Sequence, residues 1–157
     1  MVHRLAAVDV FKGLGDKELK LLVECAQEAV YPLNKIIFRE GEAGDKMYVI
    51  MEGIVEIWKS DGRELKGSRL ARLKNNEIFG EMAIFDNEPR SATAYAVVND
   101  ETKILLWEGK DVTKLIEENP VLGVRLLFNI LHKQNNRLRT ANDAVHTLLR
   151  ANRYIGM

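Results

Sequence analysis

Cysteine is nearly absent from this chain. Cys25 is the only one, so an internal disulfide and a cysteine-rich metal site are both excluded. It falls at an apolar position of a predicted helix and is expected as a core thiol. Charge of neither sign prevails, since 23 Lys and Arg balance 23 Asp and Glu. Nothing global therefore points to nucleic acid or to an anionic membrane. No run approaches the roughly 20 apolar residues of a membrane span. The start, MVHRLAAVDVF, is too short and too polar for a signal peptide, so a cytoplasmic protein is expected. Histidine is scarce too: His3, His132 and His146. The last two stand about 21 Å apart along one predicted helix, too far to share a metal. No serine or cysteine has an arguable paired base. Neither an enzyme, a metal nor a cofactor is expected.

What is present is a core-forming chain of 157 residues, 46% of them apolar, the size of one compact domain. Residues 3–28 read as helical. Asp16 and Glu18 suit a helix start, followed by an apolar stripe of Leu19, Leu22, Val23 and Ala26. From about residue 29 to 108 the period changes. KIIF, MYVIMEGIVEIW, SRLARL, ATAYAVV and TKILLW are short runs rich in Val, Ile and aromatics. Gly41, Gly44, Gly53, Gly62, Gly67 and the pair Asn99-Asp100 supply turns between them. Gly41, Gly44 and Gly53 read as two tight corners around one strand, where φ > 0 is needed. Many short strands with few intervening helices predict a sandwich or rolled barrel.

After Trp107 the pattern is helical again. Asp111 to Glu118 predicts a short helix, and Asn119-Pro120 starts a long one, with proline tolerated in the first turn. Val124, Leu127, Leu131, Gln134, Leu138, Ala141, Val145, Leu148, Asn152 and Ile155 then alternate by three and four residues. That is a sustained a/d heptad on a helix about 54 Å long. Phe128 and Ile130 widen its apolar face in the first half, as packing on the helix's own domain requires. The second half is a narrow seam with polar flanks, so a partner helix is expected there. Residues 1–119 and 120–157 are read as parts of one domain.

The stretch FGEMAIFDNEPRSATA, residues 79–94, carries the chemistry. A short helical turn over Glu81 to Phe85 leaves unpaired N–H groups that suit an anion. Arg90 adds a planar fork of donors fitted to two phosphate oxygens, and Ser91 one further donor. Glu81 would repel a phosphate but would hold a sugar hydroxyl. An anion with an adjoining sugar fits these residues; a plain Glu81–Arg90 surface ion pair fits them equally.

The whole pattern resembles the cyclic nucleotide-binding domain, the β-roll of the catabolite activator family, cyclic-nucleotide-dependent kinases and gated channels. The resemblance rests on Phe79-Gly80-Glu81-Met82-Ala83 followed by Pro89-Arg90-Ser91-Ala92-Thr93-Ala94. The roll glycines appear in EGEAGD and MEGIVEI, and the likeness runs from about Phe11 into the long helix. It implies an α+β fold: a double-stranded, antiparallel, jelly-roll-like β-roll with N-terminal helices and a long C-terminal dimerisation helix. It implies that Arg90 binds the exocyclic phosphate oxygens and Glu81 the ribose 2′-hydroxyl. Gly80, Met82 and Ala83 would lend backbone contacts, with Ser91 and Ala92 meeting the phosphate. The long helix would close over the base, and Arg139, Thr140 and Asn142 lie at suitable depth for that. Serine after the arginine, where cGMP-selective relatives tend to carry threonine, favours cAMP. Cyclic GMP and cyclic dinucleotides stay open as ligands, as does a dimeric interaction protein with a non-signalling pocket. The sequence stops at Met157 with no helix-turn-helix after the long helix, so the expectation is no DNA binding. A homodimer is expected, signalling through a separate downstream protein.

Overall fold

The computed structural model describes residues 1–60, 62, 67–97 and 101–155, the last four by backbone alone. Helix α1 (Val2–Leu5), a 3-10 turn (Asp9–Phe11) and α2 (Asp16–Glu24) come first. Among the described residues eight strands follow: β1 (Gln27–Tyr31), β2 (Ile36–Phe38), β3 (Lys46–Glu52), β4 (Val55–Lys59), β5 (Ser68–Leu73), β6 (Ile78–Phe79), β7 (Thr93–Ala96) and β8 (Thr102–Glu108). A short helix, α3 (Met82–Asp86), lies between β6 and β7, and α4 (Gly109–Glu118) and α5 (Pro120–Ile155) close the chain. One sheet has the order β1-β8-β3-β6 and the other β2-β7-β4-β5, with every pairing antiparallel. The chain thus alternates between two layers and rolls up. This is the double-stranded β-roll with flanking helices that the resemblance implies.

The apolar runs are continuous, not alternating, because the first sheet is covered on both faces. On β3 and β8, Tyr48, Ile50, Ile104 and Leu106 fill the space between the sheets. Their neighbours Met47, Val49, Leu105 and Trp107 face the helices and join Leu5, Phe11, Leu19 and Leu22. Trp107 meets Phe11 edge-on at 5.7 Å, and its indole N–H donates to the Leu22 carbonyl at 2.8 Å. A buried indole needs such a partner, which pins the helical layer to the sheet.

Three local features differ from the sequence reading. The N-terminal region is two helices and a turn rather than one helical tract, and its end, from Gln27, is strand β1. β1 lies at a sheet edge and is mostly exposed, so QEAVY lacks the apolar signal of an inner strand. Cys25 caps the end of α2 half-buried, its thiol donating to the Leu21 carbonyl at 3.3 Å, rather than lying deep in the core. The predicted Asp111–Glu118 helix begins two residues earlier, at Gly109. The Asn99-Asp100 turn lies outside the described residues.

Helix α5 runs as one piece from Pro120. Leu122, Leu126 and Ile130 bury its first half against α4 and the 3-10 turn. Contrary to the sequence pattern, Phe128 does not widen that face; it is 71% exposed. Two residues carry it about 200° around the helix from Leu126. Among the described positions, Val124, Leu127, Leu131, Leu138, Val145 and Leu148 of the expected seam are exposed. The side chains of Asn152 and Ile155 lie outside the described residues.

Candidate functional site

Between the second sheet, α3 and α5 lies a cavity of about 910 Å³. Arg90 forms its floor. The residue is only 4% exposed, with its guanidinium carbon 4.3 Å from the centre of the Phe38 ring. Nη1 donates to the Gly80 carbonyl at 2.6 Å and Nη2 to the Lys46 carbonyl at 2.9 Å. Nε is buried and has no hydrogen-bond partner among the described residues. Among the described residues no carboxylate lies within 4.0 Å of it. A guanidinium keeps its charge, and a buried charge without a counterion costs several kcal/mol. Two carbonyls and an aromatic face orient this cation without neutralising it. Beside it, burial pushes the Tyr48 phenol up to about 12, so no second ionised group competes there.

The backbone comes this close only because two residues lack a Cβ. Gly80 has φ +73°, and a Cβ there would meet Arg90 Nη1 and the Tyr48 ring at 2.9 Å. The sequence pattern makes Gly44 a positive-φ corner like Gly41 and Gly53, but those two alone of the three take that conformation. At Gly44 the constraint is space: a Cβ would lie 2.2 Å from that of Ala83. The β2–β3 connection thus presses directly on α3. At the start of α3 the N–H groups of Met82 and Ala83 are unpaired among the described residues, as in any first helical turn.

Glu81 is 1% exposed and does not pair with Arg90, so the simple ion pair between them is not formed. Its Oε1 accepts from Gln134 Nε2 and from Arg137 Nη1, the latter at 3.0 Å. Arg137 Nη2 also donates to the Ile78 carbonyl. Gln134, expected as a polar residue in the helix seam, instead joins α5 to the loop before α3. Arg137 lies outside the residues that the sequence pattern marks as candidates. The available signal was its i, i+3 spacing from Gln134, which puts both side chains on one helix face.

A buried, uncompensated guanidinium, a buried carboxylate nearby and unpaired N–H groups suit an anion that also carries hydroxyls. The family model described as "Cyclic nucleotide-binding domain" matches residues 28–119. This chain belongs to that family. A "CRP-like cAMP-activated global transcriptional regulator" from Mycobacterium tuberculosis is 30% identical over 139 residues, 85% of this chain. This cyclic nucleotide-binding domain spans 60% of that regulator's length. A "cGMP-dependent protein kinase" from Plasmodium berghei is 36% identical over 115 residues, 73% of this chain and 12% of the kinase. A solved cyclic nucleotide-binding domain from Methylobacillus flagellatus superposes with TM-score 0.79 at 24% identity, over 92% of this chain and 79% of that one. That likeness concerns the fold.

In this domain the anticipated residues divide as follows. Gly80, Glu81, Met82, Ala83, Arg90, Ser91 and Ala92 all line the cavity. From α5, Thr140 does so as well, together with Asn136, Arg137, Ala141 and Ala144. Arg139 and Asn142 are exposed and outside the lining. Helical rotation explains this, since Arg137, Thr140, Ala141 and Ala144 form one three-and-four stripe that Arg139 and Asn142 miss. Opposite that stripe, Leu70, Ala71 and Leu73 of β5 add an apolar wall. Among the described residues no group of three or more His, Cys, Asp and Glu could hold a metal ion, and no helix is long and apolar enough to cross a membrane.

Proposed function

We propose that this domain is a regulatory sensor binding one cyclic nucleotide, with cAMP favoured, between the 79–94 segment and α5. The observation that carries the reading is Arg90, a buried cation held in place by carbonyls and left without a carboxylate. The exocyclic phosphate oxygens would complete it, with Ser91 and the N–H groups of Met82, Ala83 and Ala92 as further donors. Glu81 takes the ribose 2′-hydroxyl; both of its helix partners sit on Oε1, which leaves Oε2 to accept it. The base lies between the apolar wall of β5 and the α5 stripe, with Thr140 as its polar contact. Ser91 after the arginine favours cAMP, and the name of the mycobacterial relative agrees. The signal leaves through α5, whose exposed apolar row pairs with a second copy and passes the change to a separate downstream protein.

Isothermal titration of the purified chain with cAMP, cGMP and a cyclic dinucleotide tests this. The expected result is one site per chain, tightest for cAMP. Absence of heat with all three ligands, with no nucleotide carried through purification, would overturn the reading.

A further inference from the structure

The Ser91–Thr93 limb of the site is held from outside the cavity by residues that do not line it. Lys59, the last residue of β4, donates from Nζ to the Ser91 carbonyl at 2.7 Å and pairs with Glu40 Oε1, also at 2.7 Å. Glu40 Oε2 accepts from the Ser60 N–H at 2.9 Å, and the Glu40 N–H donates to Thr93 Oγ1 at 3.0 Å. The β2–β3 connection, the end of β4 and the start of β7 are thereby tied at one point.

The tie has a directional consequence. The Ser91 carbonyl and the Ala92 N–H belong to one peptide plane, and the chain has no cis peptide among its described residues. In a trans peptide these two groups point in opposite directions. With its carbonyl turned out to Lys59, the plane must aim the Ala92 N–H the other way, toward the cavity that Ala92 lines. Ala92 is buried, and its N–H has no hydrogen-bond partner among the described residues. A buried unpaired N–H is uncommon and asks for an acceptor.

We infer that Lys59 is a positioning residue for ligand: by fixing the Ser91 carbonyl outward it aims the Ala92 N–H at one exocyclic oxygen of the cyclic phosphate. The inference rests on the cyclic-nucleotide reading above. Lys59 does not act as a phosphate-binding cation, because Glu40 neutralises its ammonium at contact distance. Its effect is on orientation, and on one oxygen only.

The test uses the full chain with Lys59→Met and Glu40→Gln combined, which removes both charges and leaves net charge unchanged. Wild type, this double variant and Lys59→Arg are titrated with cAMP and with its two phosphorothioate diastereomers. Each diastereomer replaces a different exocyclic oxygen with sulfur, a poorer acceptor. In the double variant cAMP affinity should fall about fivefold, the worth of one aimed hydrogen bond. The affinity ratio between the diastereomers should also move toward one, while Lys59→Arg keeps the wild-type ratio. An unchanged ratio in the double variant overturns the inference, whether affinity falls or not, since general loosening would weaken both diastereomers alike. Lys59→Gln, read in the same way, serves if the double variant does not fold. Wild type that binds none of the three ligands refutes the underlying reading instead.

Discussion

Arg90 and Glu81 occupy the same short segment yet meet different fates, and each supports its own prediction. Arg90 spends two of its donors on carbonyls and holds Nε in reserve inside the protein. Arg90→Ala removes the cation that an incoming anion requires, while leaving the helical core under the first sheet untouched. We expect a loss of at least about 2–3 kcal/mol in cAMP binding, seen by titration, with the far-UV circular dichroism unchanged. Binding equal to wild type would show that the anion sits elsewhere. Glu81→Gln keeps an acceptor and loses the charge, so a smaller loss is expected. That loss should shrink further when 2′-deoxy-cAMP replaces cAMP; the same penalty with both ligands would break the ribose assignment.

Among the elements, α5 is two helices in one. Up to Ile130 it is anchored by apolar burial and by Asn129 Nδ2, which donates to the Val10 and Lys12 carbonyls at 3.0 and 2.9 Å. Beyond that point its ties to the roll are polar: Lys133 with Glu77 at 3.2 Å, and Gln134 and Arg137 with Glu81. The Lys133–Glu77 pair, which is partly exposed, contributes less than a buried leucine, and the pairing of buried Glu81 is the strongest of these ties. Arg137→Ala should therefore free the outer half of the helix and leave the inner half in place. In ligand-free protein, amides from about residue 131 to 141 should exchange faster with deuterium, while those of 122–130 keep their protection. Equal protection along the whole helix would mean that this tie does not hold it. On the proposed reading the Glu81 carboxylate is shared by helix and sugar, which would couple ligand binding to helix position.

For the whole molecule, the exposed apolar row is the outstanding feature. Val124, Leu127, Leu131, Leu138, Val145 and Leu148 repeat along a helix that its own domain covers only at the start. On the proposed reading this row pairs with a second copy in parallel, which would set two ligand sites on the flanks of one coiled coil. Analytical ultracentrifugation should find a dimer, and Leu138→Glu with Val145→Glu should convert it to monomer by burying charge in the seam. A wild-type monomer with and without cAMP would remove this mode of assembly. Gln134 no longer serves as the polar register mark of that seam, because Glu81 claims it.

The division between what sequence alone determined and what required the tertiary structure follows the range of the forces involved. Local rules suffice for the runs that form β2, β3, β4, β5, β7 and β8, for the short helix after Glu81 and for the proline start of α5, because each is set by neighbours within a few residues. In 79–94 they leave open whether Glu81 pairs with Arg90, and they miss β6, which is only two residues long. They fail at β1, where an edge strand carries little apolar signal, and at Gly44, whose lack of a side chain answers to Ala83, 39 positions away in the sequence numbering. The a/d repeat was legible as a period, but a period does not reveal which neighbour a polar member will meet. Only the closure of the roll brings Gln134 and Arg137 onto Glu81, and Lys59 onto the Ser91 carbonyl. The partners in these contacts lie between 32 and 56 residues apart, and for Glu81 the pairing is decided by burial: a carboxylate sealed from water must find donors wherever the fold supplies them.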